Sequence, residues 1–406
     1  MSEPLVIVGN GMAAMRLVEE LAARALGRYA IAVIGEEPRL AYNRVLLSSV
    51  LAQEISSADI ELKPAQWWRD RGVTLLYGHG ATAIDPAIRR VRLANGATLP
   101  FEKLVLATGS RPIRLNVPGM ELPGVITFRD LDDVAILEAA AAKRTKAVVI
   151  GGGLLGLEAA YGLAKAGAQV TVIHLMDRLM ERQLDARASA MLLKAVEARG
   201  IRVQLNAETA AIEGAKQAKA VALKDGRKFD ADLVVVAAGI RPNVELARTG
   251  GLDIDRGIVV DDTLQTSRAG IYAIGECAEH RRICYGLVEP AYEQARVLAG
   301  QLTGARETYP GSVLATNLKV SGVNVFSAGD FIGAPGTEQI VLCDPGIATY
   351  KKLVIADGRL AGAVLFGDTA DGLWYLDLIR NGAPIEPMRG ELAFGRALAE
   401  RQQKAA

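Results

Sequence analysis

Cysteine is scarce in this chain: three in 406 residues, Cys277, Cys284 and Cys343. No C-x-x-C pair occurs, so spaced thiolates build neither a structural zinc site nor an iron–sulfur cluster, and no metal is expected. An odd, small number of thiols suits a reducing cytoplasm. Long apolar runs are absent too. Half of the residues are apolar, yet no run approaches the roughly 18 needed for a membrane span, and the Ala-rich piece at 135–142 is interrupted by Glu138. The apolar residues 5–8 run into a glycine turn after four positions, so no secretion signal is expected. An excess of one charge is also missing. The net charge of +1 gives no bulk electrostatic support for a nucleic-acid or anionic-membrane partner.

What the chain does have is glycine in two organised places. Residues 5–14 read LVIVGNGMAA, a short apolar strand that enters G-x-G-x-x-A. Gly9 can take the angles of a tight turn, Gly11 lets a diphosphate approach the backbone, and Ala14 lets the next helix pack closely. Met12 and Ala13 open that helix, whose free N–H groups and partial positive charge point at the phosphates. Residues 146–160, KAVVIGGGLLGLEAA, repeat the pattern with Gly151, Gly153 and Gly156, and with Leu154 and Leu155 opening the helix. One such match is also what an ordinary strand–helix turn looks like; two of them, 142 positions apart, imply two nucleotide cofactors in one chain.

Each fingerprint is followed by a second strand. The first ends before Glu36, placed where an acid accepts the ribose hydroxyls of an adenosine, although a solvated loop acid is the plainer reading. The second strand, at 170–173, ends at His174, with Asp177 and Arg178 close behind. An NAD site usually places an acid there and an NADP site a cation, so the choice between NADH and NADPH stays open, as does plain packing for His174. Two further strands end alike, in Ala107-Thr108-Gly109 and in a mirrored A-A-G-I-R-P-N containing Gly239; small residues there can approach a cofactor. Residues 115–124 read as a linker and 128–143 as a helix. Residues 73–100 and 201–229 read as short meanders, with turns at Asn95-Gly96 and Asp225-Gly226. From residue 311 onward alternating strands, with turns at 321–322, 344–345 and 357–358, suggest a smaller β-rich domain ending in a helix at 372–381.

The residues Glu36, Pro38, Tyr42, Arg44, Leu47 and Ser48 match E-x-P-x-x-x-Y-x-R-x-x-L-S, a pattern of flavoprotein reductases of the ferredoxin- and rubredoxin-reductase type. The resemblance implies FAD on the first fingerprint, with Arg44 on its diphosphate side and Ser48 under the flavin. Where that family often has a lysine, this chain has Ser49. With no cysteine before Cys277, a thiol relay beside the flavin is not expected. Gly275-Glu276 resembles the G-D motif whose acid bonds the ribityl chain of FAD, and the helix that begins after residue 285 would aim its N–H groups at the flavin's pyrimidine edge. Glu158 matches the family's G-x-E and would orient the nicotinamide carboxamide; a first-turn helix acid is the plainer reading. Lys319, expected in a loop of the small domain, would lie by the flavin or simply on the surface.

Three stretches narrow the resemblance: LMERQLD at 179–185, residues 274–288 with E-C-A-E-H then Y-G-L-V, and TNLKVSGVNVFSAGD at 316–330. These resemble the flavin-bearing module of NAD(P)H-dependent nitrite reductase large subunits and the electron-transfer subunit of assimilatory nitrate reductases. The implied fold class is α/β, with two Rossmann-like nucleotide-binding domains arranged as in glutathione-reductase-like flavoproteins, plus a small β-rich C-terminal domain. The expected domains are 1–113 with 242–310 for FAD, 114–241 for NAD(P)H, and 311–406 as an interface domain. The implied activity is an FAD-dependent NAD(P)H oxidoreductase. Since these residues carry no cysteine-rich iron–sulfur region, electrons are expected to pass to a separate protein. A nitrate or nitrite reductase subunit is the first expectation, a rubredoxin or ferredoxin serving an oxygenase the alternative, and a flavin-bound signalling protein with little turnover a third.

Overall fold

In a computed structural model, which describes residues 2–141, 145–320 and 322–403, the strand Glu3–Val8 is the centre of a five-stranded parallel sheet. Its neighbours are Tyr29–Gly35 on one side and Lys103–Leu106 on the other, with Thr74–Tyr77 and Ile271–Ala273 at the edges. Leu5 to Val8 are all buried, as a parallel strand covered on both faces requires. The helices Met12–Ala25 and Val288–Thr303 pack together over this sheet. The strand at 271–273 joins long after the first four, so this unit is assembled from two separated pieces of chain.

A second parallel sheet repeats the plan, in the order Arg202–Gln204, Gln169–Ile173, Lys146–Ile150, Leu233–Val236, Val125–Thr127. The last strand directly follows the residues read as linker. The helix expected over 128–143 is shorter, Leu131–Ala141. Asp130 stops it extending backwards, since its Oδ1 accepts the N–H groups of Asp132 and Asp133 at 3.0 and 2.9 Å and caps the helix there. Positions 142–143 of that expected helix, and Ser321 of the expected 321–322 turn, lie outside the described residues. Each parallel sheet carries a three-stranded meander, Ala81–Asp85 to Thr98–Pro100 and Thr209–Glu213 to Lys228–Asp230.

The C-terminal part is a five-stranded antiparallel sheet ordered Ala315–Val320, Val323–Gly329, Arg359–Phe366, Thr349–Ala356, Glu338–Asp344, backed by the helix Gly372–Asn381. Among the described residues no helix is long and apolar enough to cross a membrane.

Candidate functional site

The two glycine turns are built alike, and each glycine has its own reason. Gly9 sits at φ +116°, and a Cβ on it would collide with the Ala107 carbonyl. Gly151, at φ +130°, faces Ala237 in the same way, and a Cβ on Gly156 would strike Gly151 itself. Gly11 and Gly153 differ: nothing lies within 4 Å of where their Cβ would stand. The helices that follow, Met12–Ala25 and Leu154–Lys165, have no side-chain cap, so Met12, Ala13 and Ala14, like Leu154 and Leu155, present first-turn N–H groups to open space. The buried Asn10 Oδ1 has no partner among the described residues. Open backbone and uncapped helix starts fit a diphosphate at each turn; the Asn10 oxygen, an acceptor, is no part of that fit.

The return loops close on each other. Thr108 Oγ1 donates to the Asn243 carbonyl at 2.9 Å, and Asn243 Nδ2 donates back to the Thr108 carbonyl at 2.9 Å. The mirrored motifs pair as antiparallel strands, Ser110–Pro112 with Ile240–Pro242. Gly109 (φ +65°) and Gly239 (φ +106°) make the bends beside this crossing. Gly275 (φ +79°) presses on the first helix, where a Cβ would lie 3.1 Å from that of Ala13, and its N–H donates to the buried Gln294 Oε1 at 2.7 Å. Glu276 Oε2 accepts from Ser110 Oγ at 2.7 Å and is ion-paired with Arg129.

Glu36 is exposed at the end of its strand. Its neighbour Glu37 is the engaged acid, ion-paired with Arg44 and accepting from Tyr42 Oη at 2.7 Å. Arg44 also donates to the Arg129 carbonyl at 3.1 Å. The structure therefore sets Arg44 in a network of four residues. The short helix Leu47–Leu51 packs on the second fingerprint helix, where Gly162 leaves room for Leu51. This brings Ser48 to Glu158. Burial pushes the Glu158 carboxyl up to about 7, and the Ser48 hydrogen bond opposes the rise. Lys319 lies in the strand Ala315–Val320, not in a loop, because the turn comes later; it is exposed and registered opposite Asn324.

His174 is buried, 7% exposed. Its Nδ1 accepts the Gly152 N–H at 3.0 Å and its Nε2 bonds Glu181 at 3.1 Å. It offers no cation to the surface. Arg178 pairs with Asp177 at 3.2 Å. Sequence reasoning missed Glu37, Arg129, Gln294 and Asn243. Only Asn243 left a usable signal, as the residue completing the mirrored G-x-R-P. The three thiols are free. Cys277 is buried and donates to the carbonyls of Leu106 and Ile274, and burial pushes the Cys284 thiol up to about 11, so neither is a reactive thiolate. Among the described residues no His, Cys, Asp or Glu group could hold a metal ion.

Two phosphate-ready turns on parallel sheets, joined where Ser48 meets Glu158 and Thr108 meets Asn243, define an NAD(P)H-dependent flavin oxidoreductase that binds FAD. The pyridine nucleotide-disulphide oxidoreductase family matches residues 3–300, and the rubredoxin NAD+ reductase C-terminal domain matches 315–383. The chain is 45% identical, over 94% of its length, to nitrite reductase [NAD(P)H] of Bacillus subtilis, and 43% identical, over 92%, to the assimilatory nitrate reductase electron transfer subunit of the same organism. It spans about half of each of these relatives, 48%. A structure of the covalent putidaredoxin reductase–putidaredoxin complex superposes with a TM-score of 0.88 at 26% identity, covering 100% of this chain and 99% of that one. The chain belongs to the pyridine nucleotide-disulphide oxidoreductase family, although it has no cysteine before Cys277.

Proposed function

We propose that this chain draws reducing equivalents from NAD(P)H and delivers them to a redox protein of nitrate or nitrite assimilation. The observation that carries the reading of the site is the Ser48–Glu158 contact, which ties the first unit to the second turn of the second unit's helix. Bound flavin supplies hydride acceptance and one-electron release; the chain supplies alignment and field. Gly11 and the first helix hold the FAD diphosphate, Glu276 stands at its ribityl chain, and Ala107-Thr108-Gly109 and Gly275 line its approach. Gly153 and the second helix hold the nucleotide diphosphate. Glu158, protonated below about pH 7, donates a hydrogen bond that orients the nicotinamide carboxamide.

The acceptor is inferred from the relatives that carry nitrite and nitrate reductase names; the cytoplasm is the proposed compartment, supported by the scarcity of cysteine. The C-terminal match and the putidaredoxin reductase likeness favour a ferredoxin or rubredoxin as the second reading. The test is reduction of purified acceptors by the NADH-charged chain. Faster reduction of a cognate nitrate or nitrite reductase subunit than of small redox proteins supports the first reading; the reverse order replaces it with the second.

A further inference from the structure

We infer that Glu181, held by a neutral His174, recognises the adenosine ribose of the incoming nucleotide and so selects NADH over NADPH. The inference rests on the proposed placement of the nucleotide on the second unit. In a Rossmann unit the residue ending the second strand reaches the ribose, and an acid there accepts its hydroxyls. Here the strand is Gln169–Ile173 and the residue ending it is His174. A backbone N–H can only donate, so the Nδ1 that receives Gly152 carries no proton. The proton is then on Nε2, which donates to Glu181 Oε2 at 3.1 Å. The imidazole is uncharged, and it extends the strand end by one hydrogen bond to a carboxylate.

Glu181 is fixed to the diphosphate turn by the backbone as well. Met180 N–H donates to the Gly152 carbonyl at 3.0 Å, from a left-handed conformation at φ +49°. Leu179 and Met180 are fully buried, and Ser189 Oγ donates to the Leu179 carbonyl at 2.8 Å. Gly152 thus bonds His174 through its N–H and the 179–185 segment through its carbonyl. A side chain on Gly152 would meet His174 and Leu179, both at 2.7 Å. The Glu181 side chain keeps 22% exposure, and among the described residues its other oxygen meets only the outlying Arg182, at 4.0 Å. That oxygen is free to accept from a ribose hydroxyl. A 2′-phosphate would instead meet a carboxylate. Of the nearby cations, Arg178 is paired through Nη1 with Asp177 while its buried Nε has no partner among the described residues, and Arg182 is 86% exposed.

The test is calorimetric titration of the FAD-loaded protein with ADP-ribose and with 2′-phospho-ADP-ribose, for the parent and for E181Q. Flavin content and unfolding temperature report whether the variant is intact. The parent should bind ADP-ribose at least about tenfold more tightly than its 2′-phosphate. E181Q should lose about tenfold in ADP-ribose affinity, the size of a lost hydrogen bond to a charged acceptor, and discriminate less. Equal binding of the two fragments by the parent, which needs no variant, would overturn the inference, as would unchanged discrimination in an intact E181Q. Fragment binding is read without turnover. If neither NADH nor NADPH bleached the flavin, the proposed function would fall while the fragment titration still decided the role of Glu181.

Discussion

Gly9 and Gly11 stand two positions apart and meet opposite requirements. Gly9 is needed by the fold, since any side chain strikes the Ala107 carbonyl from a left-handed conformation. Gly11 meets nothing, so its bareness serves only what approaches from outside. G9A should therefore lose about 2 kcal/mol or more of stability, whereas G11A should unfold within about 1 kcal/mol of the parent yet purify with much less flavin. Melting curves and visible spectra of the two variants check this. Glu158 carries a second prediction at this scale. Its carboxyl ionises near 7 in the folded chain against an ordinary value of 4.5. The folded state binds the extra proton between those values, so stability is fully present below about pH 4.5 and declines as pH rises through about 7. E158Q should flatten that decline, by up to about 3 kcal/mol, in melting profiles of the flavin-depleted protein from pH 4.5 to 8. Both glycines and Glu158 were legible in the sequence because backbone geometry and helix position are local matters. That Ser48 and Glu158 touch was not, since the packing of two units brings them together. Arg129 had no local motif at all and became visible only by its pairing with Glu276.

At the scale of elements, the 179–185 segment is a strap between the second glycine turn and the C-terminal sheet. Its last residue, Asp185, caps the helix Ala186–Glu197 by accepting the Ala188 N–H at 2.9 Å. The same carboxylate accepts from Tyr350 Oη at 2.6 Å and lies 3.9 Å from the buried Lys352. Y350F should cost about 1–2 kcal/mol, as one buried hydrogen bond to a charged group. D185A should cost about 2–4 kcal/mol, because it also removes the cap and the partner of a buried ammonium. Denaturant unfolding measures both. The sequence marked LMERQLD as distinctive but gave no reason for its last residue, because the Tyr350 that bonds Asp185 lies 165 residues away. The parallel sheets were readable from their buried β-branched runs. The strand Val125–Thr127 was not, since three half-buried residues after a Pro- and Gly-rich stretch carry no periodicity.

For the whole molecule, the arrangement is two nucleotide units clasped through mirrored loops, with a third sheet strapped to the second unit. The two like turns in one chain made this architecture legible early; the way A-T-G-S-R-P and A-G-I-R-P-N pair with each other needed the structure. The central claim is that the second unit charges a flavin held by the first. Anaerobic stopped-flow mixing of the purified, FAD-loaded chain with NADH tests it most directly. The account predicts rapid loss of the oxidised flavin band, followed by its return when an electron acceptor is added. A chain that takes up no FAD, or a bound flavin whose spectrum neither NADH nor NADPH changes, would contradict it.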